Sequence, residues 1–179
     1  MGRIVSNFFI SLDGVVQDPH EWHFPYFDED MGRIVGAGME GQSGFLFGRR
    51  LYDQWSEYWP GNTDEGFGPH INAIAKYVLT HRPIEGDLWN NTTVIAEDHV
   101  EAVQALKEST DGVIAMSGSA TTVRWLIAHG LLDELALLVH PIAVAKGQRL
   151  FEDTGTVPLE LVHHEALASG VLHLRYTPA

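Results

Sequence analysis

The chain has 179 residues, a length that fits one domain able to bury roughly two-thirds of its unfolded surface. It is 45% hydrophobic and 10% aromatic, which excludes a disordered chain, and it holds no cysteine, which excludes disulfides, thiolate zinc sites and a cysteine nucleophile. A formal net charge of −13 repels nucleic acid and anionic membranes, so any anionic ligand must be held by a local gathering of the few cations.

The opening MGRIVSNFFISLDG has neither the basic start nor the long apolar core of a secretory signal. No apolar run approaches the ~20 residues of a membrane span, and a cytoplasmic setting is expected. Arg3 to Ile10 reads as a strand. Ser11 to Pro25 reads as a loop, with Asp13-Gly14 and Asp18-Pro19 as turn signals. A helix is expected from Asp28 to Glu40, and Phe45-Leu46-Phe47 is a short buried strand running into a second helix that reaches Tyr58. Pro60 to Pro69, with three glycines and two prolines, reads as a loop. Lys76–Thr80 and Thr93–Ala96 are β-rich runs. Val100, Val103 and Leu106 fall at helical spacing behind a possible Asp98 cap. Val113–Ser117 is a strand, a helix follows it, and Leu135 to Val144 is a further strand. Two alternating runs around Ala168-Ser169-Gly170 form a terminal hairpin. Strands alternating with helices predict an α/β fold in three αβα layers: a mostly parallel central sheet with an antiparallel C-terminal hairpin, all in one domain over residues 1–179.

In such sheets, ligands bind where the carboxyl ends of strands turn into helices. Three corners qualify. Gly48-Arg49-Arg50 follows one strand, Leu79-Thr80-His81-Arg82 a second, and Gly118-Ser119-Ala120-Thr121-Thr122 a third. The third offers small residues, hydroxyls and a helix mouth. Two readings fit it: a seat for a pyrophosphate, or a serine that merely caps its helix. The chain has only eight arginines, yet Arg49, Arg50 and Arg82 gather at these corners. Guanidinium groups fork onto phosphate oxygens, so the corners together predict a dinucleotide with an extra phosphate, NADPH.

The order of Ser11-Leu12-Asp13-Gly14, Gly48-Arg49-Arg50-Leu51-Tyr52, Lys76-Tyr77-Val78-Leu79-Thr80, Gly118-Ser119, Gly130-Leu131-Leu132-Asp133-Glu134-Leu135 and Gly147-Gln148-Arg149-Leu150-Phe151 resembles the dihydrofolate reductase-like superfamily. The branch it resembles is the riboflavin-biosynthesis reductase-like one, the deaminase-reductase C-terminal domain. That resemblance implies an NADPH-dependent reductase fold acting on a small pterin-like or pyrimidine-like acceptor. It implies that Arg49 and Arg50, with Thr80, His81 and Arg82, face the 2′-phosphate, and that Gly48, Leu51 and Leu79 also line the cofactor. It implies that Gly118, Ser119, Ala120, Thr121 and Thr122 seat the pyrophosphate, and that Val15 and Val16 border the nicotinamide. Leu51 stands where the family pattern carries threonine. The family's zinc deaminase partner needs cysteines, so a stand-alone reductase domain is expected.

Asp13, ending the first strand, is the candidate proton donor; as a residue type it equally suits a turn. Asp28 is a candidate substrate carboxylate and equally a helix cap. Trp22, in the aromatic run His20 to Phe27, is the candidate wall of a flat substrate. A nucleotide-binding protein without turnover is the alternative. A histidine-based metal hydrolase is disfavoured: His163 and His164 are adjacent, so they point to opposite faces of a strand, and no metal site is expected. The strand from Leu135 to Val144 is apolar on both faces, and the resembling reductases commonly pair, so a homodimer is expected.

Overall fold

In the computed structural model, which describes residues 1–63 and 66–179, eight strands form one sheet. They are β1 (Arg3–Ser11), β2 (Gln42–Gly48), β3 (Ala75–Leu79), β4 (Thr92–Ile95), β5 (Val113–Met116), β6 (Glu134–His140), β7 (Leu159–Ala166) and β8 (Leu172–Pro178). The order across the sheet is β4-β3-β2-β5-β1-β6-β8-β7. The first six are parallel to one another, and β8 and β7 are antiparallel, as the alternation of elements predicts.

Among the described residues, five α-helices cover the sheet: α1 (Glu29–Met39), α2 (Arg49–Tyr58), α3 (Phe67–Ala73), α4 (His99–Ser109) and α5 (Ala120–Ala128). Alternation along β1 decides which helix meets which face. Ile4, Phe8 and Ile10 are buried in one core with Val103 and Leu106 of α4 and Val123 and Leu126 of α5. Phe45 and Phe47 of β2 point the other way, into a core with Tyr52 of α2 and Ile71 of α3. Met31 of α1 meets Leu138 and Phe9 on that same side. The three αβα layers follow.

Two expected boundaries move. The run from Pro60 is not all loop, because α3 begins at Phe67. β6 stops at His140, since Pro141 has no N–H to continue a ladder. Its apolar character has a cause within the chain: β6 lies between β1 and β8 and is covered on both faces, so its composition no longer argues for a homodimer. β3 and β4 pair in parallel with no helix between them. Lys76 closes the amino end of that pair. Its side chain is fully buried, donates to the carbonyls of Asn72, Ile74 and Asn90, and lies 4.4 Å from the centre of the Trp89 ring.

Candidate functional site

Among the three corners, the first and third meet. A Cβ on Gly48 would fall onto Thr122 Oγ1 and stand 3.2 Å from Ser119 Oγ. Gly48 has an ordinary extended backbone, φ −80° and ψ 157°. Space and not conformation therefore demands glycine there. Gly118 differs: its φ of +106° is one that side chains rarely adopt. A Cβ there would lie 3.3 Å from the Phe8 ring and 4.0 Å from Leu51, which places Leu51 beside the third corner. The Gly118–Ser119 peptide is cis.

The capping reading of the third corner is not what forms. Ser119 is the N-cap of α5, yet its side chain makes no capping bond. Its hydroxyl pairs instead with Thr122 Oγ1 at 3.1 Å. The first-turn N–H groups, those of Ala120, Thr121 and Thr122, have no acceptor within the helix. They carry the positive end of its dipole. Thr121 Oγ1 also meets Gln148 Nε2 at 3.3 Å, linking the corner to the loop after β6.

The arginines divide. Arg49 is committed: its Nε donates to Asp53 at 2.7 Å and its Nη1 to the carbonyls of Arg82 and Pro83 at 2.9 and 2.7 Å. Through Nε and Nη1 it braces the second corner against α2. Arg50 and Arg82 are exposed. Thr80 is also spent locally, exchanging hydrogen bonds through Oγ1 with the carbonyl and N–H of Arg82. Leu79 lies in the core. His81 is exposed and stacks on His99 with ring centres 4.1 Å apart.

Three expectations from the first 28 residues change, those for Val15, Asp13 and Asp28. Val15 is fully buried; its N–H donates to Ser11 Oγ and its carbonyl accepts from Ser11 N, so its main-chain groups are already paired. Val16 packs partly buried against the core. Asp13 accepts from Ser11 Oγ at 2.6 Å and from the N–H groups of Val144 and Ala145 at 3.0 and 2.8 Å. The Ser11 hydroxyl and then these N–H groups hold its carboxyl down to about 2. A carboxyl so held has no proton to give near neutrality; it latches two loops. Asp28 caps α1 by accepting from Met31 N at 2.9 Å, and its other oxygen accepts from Ser169 N at 3.2 Å. It is the cap, and the Met31 bond leads in keeping it ionised.

Trp22 is 8% exposed, with its indole N–H on the Gln17 carbonyl at 3.3 Å. It borders a hollow of about 190 Å³ together with Gln17, Asp18, Glu21, Val144 and Lys146. Behind it lies a feature the sequence did not reveal. The fully buried His140, at the carboxyl end of β6, is met edge-on by the rings of Phe9, Trp22, His23 and Tyr26. Its Nδ1 donates to the Leu138 carbonyl at 2.8 Å, so Nε2 is an acceptor, and that nitrogen is buried without a partner. His23 Nδ1 is likewise buried and unpartnered. Burial, then His140, pushes His23 down to about 4, so both rings are neutral. The one sequence signal was the placement of His140 directly before Pro141, at a strand end.

A profile of the RibD C-terminal domain family matches residues 3–173. The uncharacterized protein YyaP of Bacillus subtilis is 28% identical over 97% of this chain and 94% of its own. A putative riboflavin biosynthesis protein from Shewanella sp. PV-4 superposes with a TM-score of 0.78 at 17% identity, covering 99% of both chains. A dihydrofolate reductase from Enterococcus faecalis, complexed with NADP(H), gives 0.63 at 16% identity over 98% of this chain and 96% of that one. The fold is therefore that of the dihydrofolate reductase-like proteins.

Proposed function

Because the chain belongs to the RibD C-terminal domain family, we propose that it is an NADPH-dependent reductase that passes a hydride to a small pterin-like or pyrimidine-like heterocycle. The observation that carries this reading is the uncapped mouth of α5, pressed against Gly48, at the same end of the parallel strands as the corners that carry exposed Arg50 and Arg82. These groups suit a ligand with a pyrophosphate and a separate monophosphate. The Ala120, Thr121 and Thr122 N–H groups hold the pyrophosphate, with the Ser119 and Thr122 hydroxyls beside it. Arg50 and Arg82 hold the monophosphate. When bound, the nicotinamide supplies the hydride.

The chain's own part is to hold the two reactants together and keep water from between them. The acceptor lies by Trp22, where Lys146 offers a cation. Its proton comes from water, since Asp13 is ionised and His23 and His140 are neutral.

Fluorescence titration with NADPH and NADH tests the reading. NADPH binds tighter in the wild type, and Arg82→Ala narrows the difference by weakening NADPH alone. Removing one charge-assisted hydrogen bond costs on the order of 1.5–3 kcal/mol. Equal affinity for the two cofactors overturns the monophosphate assignment. Tight NADPH binding without oxidation by any pterin or pyrimidine makes the protein a nucleotide binder.

A further inference from the structure

β7 carries one irregularity. The pairing with β8 runs Leu161 to Tyr176 and then His163 to Arg175, so one extra residue enters β7 at that point. Beyond this bulge, His164 faces Leu174 and Glu165 faces His173. Side chains two apart on a strand share a face, so His163, Glu165 and His173 lie on one side of the hairpin. Without the bulge, every residue after it would slip by one, and His164 would oppose His173 in place of Glu165.

The three groups meet. The His163 and His173 ring centres are 5.2 Å apart. One ligand atom of each residue lies within 4.8 Å of the other two. His173 Nδ1 is buried and has no hydrogen-bond partner. Burial, with His163 next, lowers the pKa of His173, which keeps its ring in the neutral form that binds metals. Arg33 of α1 donates to Glu165 Oε1 at 2.5 Å. That leaves Oε2, which faces His163 Nε2 at 3.9 Å. The other nearby cation, Arg175, is committed to both oxygens of Glu134.

We propose that the β7–β8 hairpin binds a divalent transition-metal ion through His163, Glu165 and His173. Two imidazoles and one carboxylate select zinc, cobalt or nickel over magnesium and calcium, which want oxygen donors. In a tetrahedral site with bonds of about 2.0–2.1 Å, ligand atoms stand about 3.3 Å apart. His163 closes the gap, because its side chain is 42% exposed and free to rotate. The ion clamps the edge strand β7 to β8, and through Arg33 to α1. It stands at the far side of the sheet from β2 and β3, whose corners carry Arg50 and Arg82. It does not rest on the reading above.

Calorimetric titration of tag-free, metal-stripped protein with zinc chloride tests the site. The wild type takes up one zinc ion per chain and takes up no magnesium. His163→Ala and Glu165→Gln weaken zinc by more than the roughly 10- to 100-fold that an outer hydrogen-bond partner's loss costs. Both positions are chosen because they tolerate change better than the partly buried His173. Exposed ion pairs such as Arg33–Glu165 contribute at most about 1 kcal/mol, so both variants keep the fold in a metal-free melt. NADPH titration curves of wild type and variants coincide. Absence of binding at millimolar zinc, or equal zinc affinity in wild type and both variants, overturns the site.

Discussion

Gly48→Ala puts one methyl group where the first and third corners touch. The new carbon falls onto Thr122 Oγ1 and 3.2 Å from Ser119 Oγ. Backbone strain plays no part, because φ at Gly48 is −80°. The Thr122 side chain must turn away, giving up its 3.1 Å bond to Ser119, or α5 must shift. Overpacking of this kind costs about 1–3 kcal/mol. For a chain of this size each kcal/mol lowers Tm by about 2–4 °C, so the melt falls by roughly 2–12 °C. Thr122→Ala alone loses only the hydroxyl pair, about 1 kcal/mol. The double variant Gly48→Ala/Thr122→Ala removes the obstacle along with the group it hits. Its cost is smaller than the sum of the two single costs by about 1–2 kcal/mol, within the usual range for residues in contact. Thermal and urea melts of the four proteins give that coupling. Additive costs, or a Gly48→Ala protein as stable as the wild type, refute the claim that the corners press on each other.

Two further outcomes concern charge. The carboxyl of Asp13 sits at about 2 in the fold against 3.8 when free. A depressed carboxyl contributes stability that is present above 3.8 and is lost as pH falls toward 2. Urea melts across that interval show a shallower acid loss in Asp13→Asn than in the wild type; identical acid profiles contradict the latch. Lys76 is depressed by burial from 10.5 to about 8. Between those values the unfolded chain binds the extra proton, so folding is favoured more as pH rises from 8 to 10.5. Lys76→Met loses that upward slope whatever its absolute stability, and a variant with the wild-type slope rules out Lys76 as its source.

The alternation of apolar strands with amphipathic helices is local, so the three layers and the terminal hairpin were legible from Arg3 onward. The corners were legible for the same reason, since Gly48-Arg49 and Gly118-Ser119 sit where a strand pattern gives way to a helix pattern. What each side chain does there was not. Asp13 meets Val144 and Ala145, and Arg49 meets Arg82 and Pro83; these partners are set by strand order, which no local pattern encodes. Asp28 was ambiguous on chemistry alone, because a carboxylate suits a cap and a substrate equally. The His140 box draws Phe9 from β1 and three rings from the 22–26 stretch, and only the tertiary fold joins them. The bulge in β7 is a single inserted residue without a glycine to announce it.

The brace that Arg49 forms separates position from identity in the loop after β3. Its guanidinium grips two main-chain carbonyls, which every amino acid supplies, proline included. Residues 82 and 83 can therefore be exchanged without loosening the grip. On the proposed reading, cofactor preference is then a trait set at one site: an acidic residue in place of Arg82 reverses the local charge while the loop keeps its course. Exchanging Arg49 would do the opposite, leaving the charge at 82 intact but untethered. A library directed at altered nicotinamide choice should hold position 49 constant and vary 82 and 50.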